Sequence, residues 1–259
     1  ARIAEDLRYE AVYVTGAGVT NMFLGMPDLS FVTLTQLAEH VSAIRDATSL
    51  PIIVDADTGF GNAVNAGHAV RVLERAGASC IQLEDQVFPK RCGHFDGKEV
   101  VGTAEFVSKI QAAVDARRSA DTLIMARTDA AAGEGFDAAI ERAQCYAQAG
   151  ADILFVEAVT RLEEIQALPR RLHTPQLINM VIGGKTPVMH ADELAAMGYG
   201  LVLYANACLQ GAVTGMQRAL GHLKQAQRMD EDPHLVAPFA ERQRLVNKPW
   251  WDALEQRYV

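Results

Sequence analysis

Seven apolar runs rich in β-branched residues recur along the chain: "AVYVT" (11–15), "PIIVDAD" (51–57), "CIQLED" (80–85), "TLIMARTD" (122–129), "DILFVEA" (152–158), "PQLINM" (175–180) and "LVLYAN" (201–206). Their hydrophobicity is continuous rather than alternating, which predicts parallel strands covered on both faces. Between them lie amphipathic segments of helix length, among them "TLTQLAEHVSAIRDATS", "NAGHAVRVLERAGA" and "GFDAAIERAQCYAQAGA". Thr33 with Gln36, and Thr160 with Glu163, have capping-box spacing. Gly77 and Gly150 stand where left-handed helix caps fall. Strand and helix alternate with no linker, so the chain is expected to form one α/β domain.

Two α/β architectures fit such an alternation, a doubly wound sheet and a (β/α)8 barrel. Polar residues gather at the C-terminal ends of nearly every strand: Thr15, Asp55, Asp57, Glu84, Asp85, Arg127, Glu157, Asn179 and Asn206. An open sheet collects its ligands at one crevice, whereas a barrel draws on most of its strands, so the barrel is the expected fold. A closed barrel needs an eighth strand, and the chain opens instead on the helix-like "ARIAEDL". The first strand is therefore expected to be missing from this sequence. The barrel is assigned to residues 1–227 and a helical tail to 228–259. The tail's Trp250, Trp251, Leu254 and Tyr258 predict a helix packed on its own barrel or on a partner subunit.

The formal net charge is −8 and the basic residues form no long run, which argues against a nucleic-acid or membrane surface. No apolar run approaches the roughly 20 residues of a membrane helix, and no signal-peptide pattern is present. Cys80, Cys92, Cys145 and Cys208 form no CxxC pair, as expected of reduced thiols in a cytoplasmic enzyme.

In "VDADTGFG" (54–61), Asp55 and Asp57 stand two apart at a strand end and share a face. Paired carboxylates repel unless a cation lies between them, and oxygen-only ligation favours Mg2+ or Mn2+. "LEDQ" (83–86) adds Glu84 and Asp85 at the next strand end, so three or four carboxylates are expected on one rim. Arg127 ends an otherwise apolar strand; its partner is either a structural carboxylate or a substrate carboxylate, with Glu157 as its orienting neighbour. "TGAGV" (15–19) offers backbone amides and a hydroxyl suited to an anion. In "PKRCGHFDGK" (89–98), Cys92 lies among Lys90, Arg91 and His94, cations that lower a thiol's pKa. Zinc would require further soft ligands, so a catalytic loop is the better reading.

Taken together, "VDADTGFG", "LEDQ", "PKRCGH", "MARTD" and "NMVIGGKTP" resemble the isocitrate lyase / phosphoenolpyruvate mutase superfamily from about Tyr9 to at least Tyr204, and within it the short bacterial branch. The resemblance implies a (β/α)8 barrel with an exchanged C-terminal helix in a homotetramer built as a dimer of dimers. It implies Mg2+ held mainly by Asp57, with Asp55 and Glu84 in its shell, and Mn2+ as the alternative. Thr15, Gly16 and Ala17 would hold the carboxylate of a 2-oxo acid, with Tyr13, Asp28, Gly93, Arg127, Glu157 and Asn179 completing the substrate site. Lys90, Cys92, His94 and Arg127 would form the catalytic group, with the Cys92 thiol protonating the carbanion-like product.

Isocitrate and methylisocitrate lyases of the family carry threonine and glutamate after the asparagine matching Asn179, to grip a third carboxylate. Here Val181 and Ile182 follow, and "YANAC" replaces a more usual Tyr-Pro. An apolar wall cannot pair a carboxylate. The expected activity is thus Mg2+-dependent retro-aldol cleavage of a 2-hydroxy dicarboxylate, resembling 2,3-dimethylmalate or 2-methylisocitrate, to pyruvate and a small carboxylate. The alternatives are carboxyphosphonoenolpyruvate phosphonomutase or other phosphonate P–C chemistry, oxaloacetate decarboxylation or hydrolysis, and a catalytically silent binding barrel.

Overall fold

The computed structural model describes residues 1–91 and 97–259. Two compact units emerge, one of Glu10–Asn206 and one of Ala1–Tyr9 with Ala207–Val259. In the larger, all seven expected strands form: β1 (Val12–Val14), β2 (Ile52–Asp55), β3 (Cys80–Glu84), β4 (Leu123–Thr128), β5 (Ile153–Val156), β6 (Gln176–Asn179) and β7 (Leu201–Leu203). They pair in chain order and every pairing is parallel, with β1 and β7 at the two ends of the ladder. The half-barrel curl of this sheet is what gathers the strand ends.

Why the strands lack alternation is visible in their packing. Ile52, Val54, Ile81, Leu83, Ile124, Ala126, Leu154 and Val156 pack outward with the helices in the main core. Their neighbours Ile53, Cys80, Met125, Ile153, Phe155 and Leu177 form a second, smaller cluster with Tyr13, Leu201 and Leu203. Successive side chains leave opposite faces of a strand, so both faces of this sheet are apolar. The inward parity extends to the strand ends and places Asp55, Gln82, Glu84, Arg127 and Asn179 on the concave side.

The helices begin with α1 (Arg2–Asp6) and α2 (Gly16–Val19), and those covering the sheet include α3 (Leu34–Ala47), α4 (Ala63–Ala76), α5 (Thr103–Ala116) and α6 (Phe136–Gln148). Thr33 and Gln36 form the expected reciprocal cap of α3, and Gly77 closes α4 at φ 103°. The second capping box does not form. The helix after β5 (Leu162–Arg171) is capped by extended Arg161, which puts Thr160 one position outside it. Between α5 and α6, Phe106 meets Tyr146 edge-on at 4.7 Å, both side chains wholly buried.

The smaller unit joins the opening helix (Arg2–Asp6) to helices at Ala207–Ala226, Phe239–Leu245 and Lys248–Tyr258. Arg244 forks onto Asp6 at 2.9 and 2.6 Å and also pairs with Glu241. The Ala207–Ala226 helix buries none of its residues and groups with the tail, whereas sequence reading places the boundary after residue 227. Among the described residues, no helix is long and apolar enough to cross a membrane.

Candidate active site

The first group of rim residues centres on Lys90. Its side chain is 2% exposed, and its ammonium donates to both oxygens of Asp28, at 2.8 and 2.7 Å. Asp57 Oδ1 lies 3.0 Å from the same nitrogen. The segment is braced locally: Lys90 N donates to Ser30 Oγ at 3.1 Å, and the Gln86 side chain bonds both the backbone N and O of Arg91 at 2.9 Å. Burial opposes the charge on Lys90, but Asp57, Glu84, Asp55 and Asp28 overcome it and hold its pKa well above the ordinary lysine value.

Asp55 and Asp57 share the concave rim but differ in occupation. Asp55 Oδ1 accepts from Gln82 Nε2 (3.0 Å) and from Asp57 N (3.2 Å), and Oδ2 accepts from Gly16 N (3.4 Å). Gln82 in turn accepts from the Tyr13 hydroxyl at 2.5 Å. Asp55 is thereby tied to the turn after β1 and to the backbone of Asp57. Asp57 itself takes the left-handed conformation, φ 49°, a strained choice for a side chain and one that recurs at functional sites. Burial pushes its pKa up to about 7, against the pull of Lys90.

Gly16 opens the short helix Gly16–Val19 just beyond Thr15. A Cβ built there would stand 3.2 Å from Asp57 Oδ1, 3.3 Å from Lys90 Nζ and 3.4 Å from Asp28 Oδ1. The glycine lets backbone amides lie directly against the charged group. Gly16→Ala is expected to lower kcat/KM by about tenfold to a hundredfold with little loss of stability, because the side chains displaced are the ones that must stay in register. Steady-state kinetics beside a thermal melt checks this. Thr15 makes no side-chain cap here, and Ala17 is half-buried on the same turn.

The second group centres on Arg127, paired in register with Glu84 across β3 and β4. Glu84 is wholly buried, and neither carboxylate oxygen has a hydrogen-bond partner among the described residues. Its nearest cation is Arg127 Nη1, 3.3 Å from Oε2. Burial drives the Glu84 pKa well above the carboxylate range, opposed by Arg127 and Lys90, so Glu84 belongs electrostatically to both groups. Glu157 lies 3.7 Å from Arg127 Nη1 and accepts from Asn179 Nδ2 at 3.3 Å. The main partner of Arg127 is nonetheless Asp129, at 2.9 and 3.0 Å.

Asp85 is a correction to the expected rim. Being next to Glu84, it leaves the opposite face of the chain. There it accepts from Thr128 Oγ1 (2.7 Å), Tyr146 OH (2.8 Å) and Asp129 N (2.9 Å), in the helix-facing layer. Cys92, Gly93 and His94 lie outside the described residues. Asp129, Lys98, Gln82 and Gln86 are the members of this region that motif reading missed. Asp129 had a usable signal, since it stands two residues after Arg127, on the spacing that linked Asp55 to Asp57.

The donors fit a hard divalent cation. They are oxygens only, and the buried Glu84 carboxylate, paired with Arg127 at 3.3 Å but without a hydrogen-bond partner among the described residues, keeps lone pairs that a cation would satisfy. Among the described residues no three His, Cys, Asp or Glu side chains are gathered closely enough to form a cage by themselves. Mg2+ suits that arrangement, because it commonly keeps water and substrate oxygens alongside one or two carboxylates.

Residues 1–224 match the family profile described as phosphoenolpyruvate phosphomutase. A 2-methylisocitrate lyase of Aeropyrum pernix is 48% identical over 220 residues, spanning 85% of this chain and 70% of the relative. A 2,3-dimethylmalate lyase of Eubacterium barkeri is 46% identical over 216 residues, 83% of this chain and 75% of that one. Among solved structures, a 2,3-dimethylmalate lyase superposes with a TM-score of 0.94 at 32% identity, covering 99% of this chain and 86% of its own. A phosphonopyruvate hydrolase in complex with oxalate and Mg2+ superposes at 0.86 and 30% identity, covering 99% of this chain and 89% of its own.

Proposed function

The chain belongs to the phosphoenolpyruvate phosphomutase family of the PEP mutase/isocitrate lyase superfamily, and from that membership we propose that it is a metal-dependent carbon–carbon lyase. Its substrate in this reading is a 2-hydroxy-2-methyl dicarboxylate, and its products are pyruvate and a smaller carboxylate. The carrying observation is the buried Glu84 carboxylate, which has no hydrogen-bond partner among the described residues and meets Arg127 at 3.3 Å, on a rim that also holds Asp55, Asp57 and Lys90. Such a rim has use for a cation and for a substrate that brings oxygens of its own.

Asp57 would be the main holder of Mg2+, with Asp55 and Glu84 in its shell, and the ion when bound would supply polarisation of the substrate's carboxylate and hydroxyl oxygens. The turn at Thr15, Gly16 and Ala17 holds the carboxylate that becomes pyruvate's. Arg127 binds a substrate carboxylate. Lys90 fixes Asp28 and Asp57 and keeps the carboxylate rim from repelling an anionic substrate. As the C2–C3 bond breaks, the 2-hydroxyl oxygen becomes the carbonyl of pyruvate, and the proton it loses balances the one taken up at C3, so the cleavage is proton-neutral overall. The bonding electron pair passes to C3 and into the adjoining carboxylate. One proton must then reach C3, and Cys92, with His94 beside it in sequence, is the donor that the family resemblance supplies.

Val181 and Ile182, following Asn179, point to 2,3-dimethylmalate over 2-methylisocitrate, since the latter's third carboxylate would meet an apolar pair. Leaving a carboxylate unpaired costs about 1–3 kcal/mol, which corresponds to about a tenfold to hundredfold preference in kcat/KM. Pyruvate release coupled to lactate dehydrogenase, run on both diacids, measures this ratio directly. A ratio reversed in favour of 2-methylisocitrate would show that some other group grips the third carboxylate.

A further inference from the structure

Arg127 is the substrate-facing cation of the proposed lyase, yet three carboxylates surround it. They use different edges of the guanidinium. Asp129 takes the Nε–Nη2 edge, with Nε to Oδ2 at 2.9 Å and Nη2 to Oδ1 at 3.0 Å. The Nη1 edge meets Glu84 and Glu157 only at 3.3 and 3.7 Å. Phe155 lies under the plane, 5.2 Å from the guanidinium carbon to the ring centre. One edge and one face are thus committed to the protein, and the Nη1 edge is the one left for an incoming carboxylate.

That arrangement depends on where Asp129 stands. Its side chain is wholly buried, and a second cation reaches it: Lys98 Nζ lies 2.7 Å from Oδ1, the oxygen that also accepts Nη2. Lys98 is itself 5% exposed. The Asp129 backbone is pinned separately, its N donating to Asp85 Oδ1 at 2.9 Å. Without Lys98, a single guanidinium would face Asp129, Glu84 and Glu157, a set that repels a further anion. With Lys98 sharing Asp129, less of the guanidinium's charge is spent inside the protein.

We propose that Lys98 is a positioning residue for substrate recognition: by fixing and partly neutralising Asp129, it holds Arg127 with its Nη1 edge presented to a substrate carboxylate. The inference rests on the lyase reading for the identity of that carboxylate, but not for the geometry. Lys98 touches no reacting atom in this account, so its loss should appear in binding. A purely structural role would appear in the melting temperature instead.

The test uses Lys98→Met, Lys98→Arg, Asp129→Asn and the Lys98→Met/Asp129→Asn double variant, with two readouts. One is the kcat and KM for 2,3-dimethylmalate; the other is calorimetric binding of oxalate at saturating Mg2+. Lys98→Met is expected to raise KM and the oxalate Kd by about tenfold with kcat within about threefold, and Lys98→Arg to restore both to within about threefold. Because Lys98 acts through Asp129, the double variant should be no worse than Asp129→Asn alone. If Lys98→Met does not fold, Lys98→Gln carries the same expectation, reduced to about half the fold-change because its amide still donates to Asp129. Unchanged KM and oxalate affinity in Lys98→Met, or strict additivity in the double variant, would overturn the proposal. A wild-type protein that binds oxalate but cleaves no diacid would instead overturn the lyase reading, and the oxalate arm would still decide the role of Lys98.

Discussion

Lys90→Met is expected to lower kcat/KM by about 10^2–10^3-fold and to lower the melting temperature by about 10 °C. The ammonium sits 2.7 Å from Asp28 and 3.0 Å from Asp57, with almost no solvent access. Removing one member of a buried ion pair costs about 3–5 kcal/mol, because the remaining charges stay buried without compensation. Two carboxylates would then face each other and Asp55 across the turn at Gly16. The two effects have separable causes. Adding Asp28→Asn to Lys90→Met removes one of the stranded charges, so the double variant should regain much of the lost melting temperature. It should not regain activity, since the cation that kept the rim receptive to an anionic substrate is still absent. Scanning calorimetry on the single and double variants, beside pyruvate release at 25 °C, separates the two. A Lys90→Met protein with wild-type kinetics would remove this residue from the site.

Arg127→Met should cost at least as much, about 10^3-fold in kcat/KM, with most of the loss in KM. It strands Asp129, Glu84 and Glu157 in a wholly buried cluster, in which Lys98 still meets Asp129 at 2.7 Å but the guanidinium beside Glu84 and Glu157 is gone. Arg127→Lys is expected to recover only about tenfold of that. A lysine is a point charge and cannot bond both Asp129 oxygens while presenting a second edge to the substrate. The contrast with Lys98→Arg is informative. There the guanidinium replaces a cation that meets Asp129 at one oxygen, 2.7 Å from Oδ1, so a change of shape is tolerated. Measuring both exchanges in the same assay distinguishes a site that needs fork geometry from one that needs charge alone.

Much of this architecture could be read before any coordinates. Continuous apolar runs located all seven strands because both faces of the sheet are covered, and polar strand ends located the rim. What the linear sequence hid were the partners. Lys90 meets Asp28 from 62 residues away, and Tyr13 reaches Gln82 from 69. No periodicity encodes such pairings, which arise only when the strands line up. One error, at Asp85, and one omission, at Asp129, were avoidable. Strand parity, used to put Asp55 and Asp57 on one face, also separates Glu84 from Asp85 and joins Arg127 to Asp129. Applied evenly, it would have sent Asp85 into the helix layer and added Asp129, at 2.9 Å, to Glu157 as a partner of Arg127. The capping box at Thr160 failed for a different reason: the spacing was present, but the helix begins one residue later, at a cap with no side-chain bond.

The central claim is that this rim breaks a carbon–carbon bond with a divalent cation in place. Proton NMR of 2,3-dimethylmalate incubated with the protein and Mg2+ in D2O tests it in a single tube. The account predicts equimolar pyruvate and propanoate, the propanoate carrying one deuterium at C2 where the carbanion was quenched, and no products once EDTA is added. Undiminished cleavage in EDTA would contradict the metal assignment. Absence of pyruvate from both 2,3-dimethylmalate and 2-methylisocitrate, with turnover of phosphonopyruvate seen by phosphorus NMR, would contradict the lyase itself.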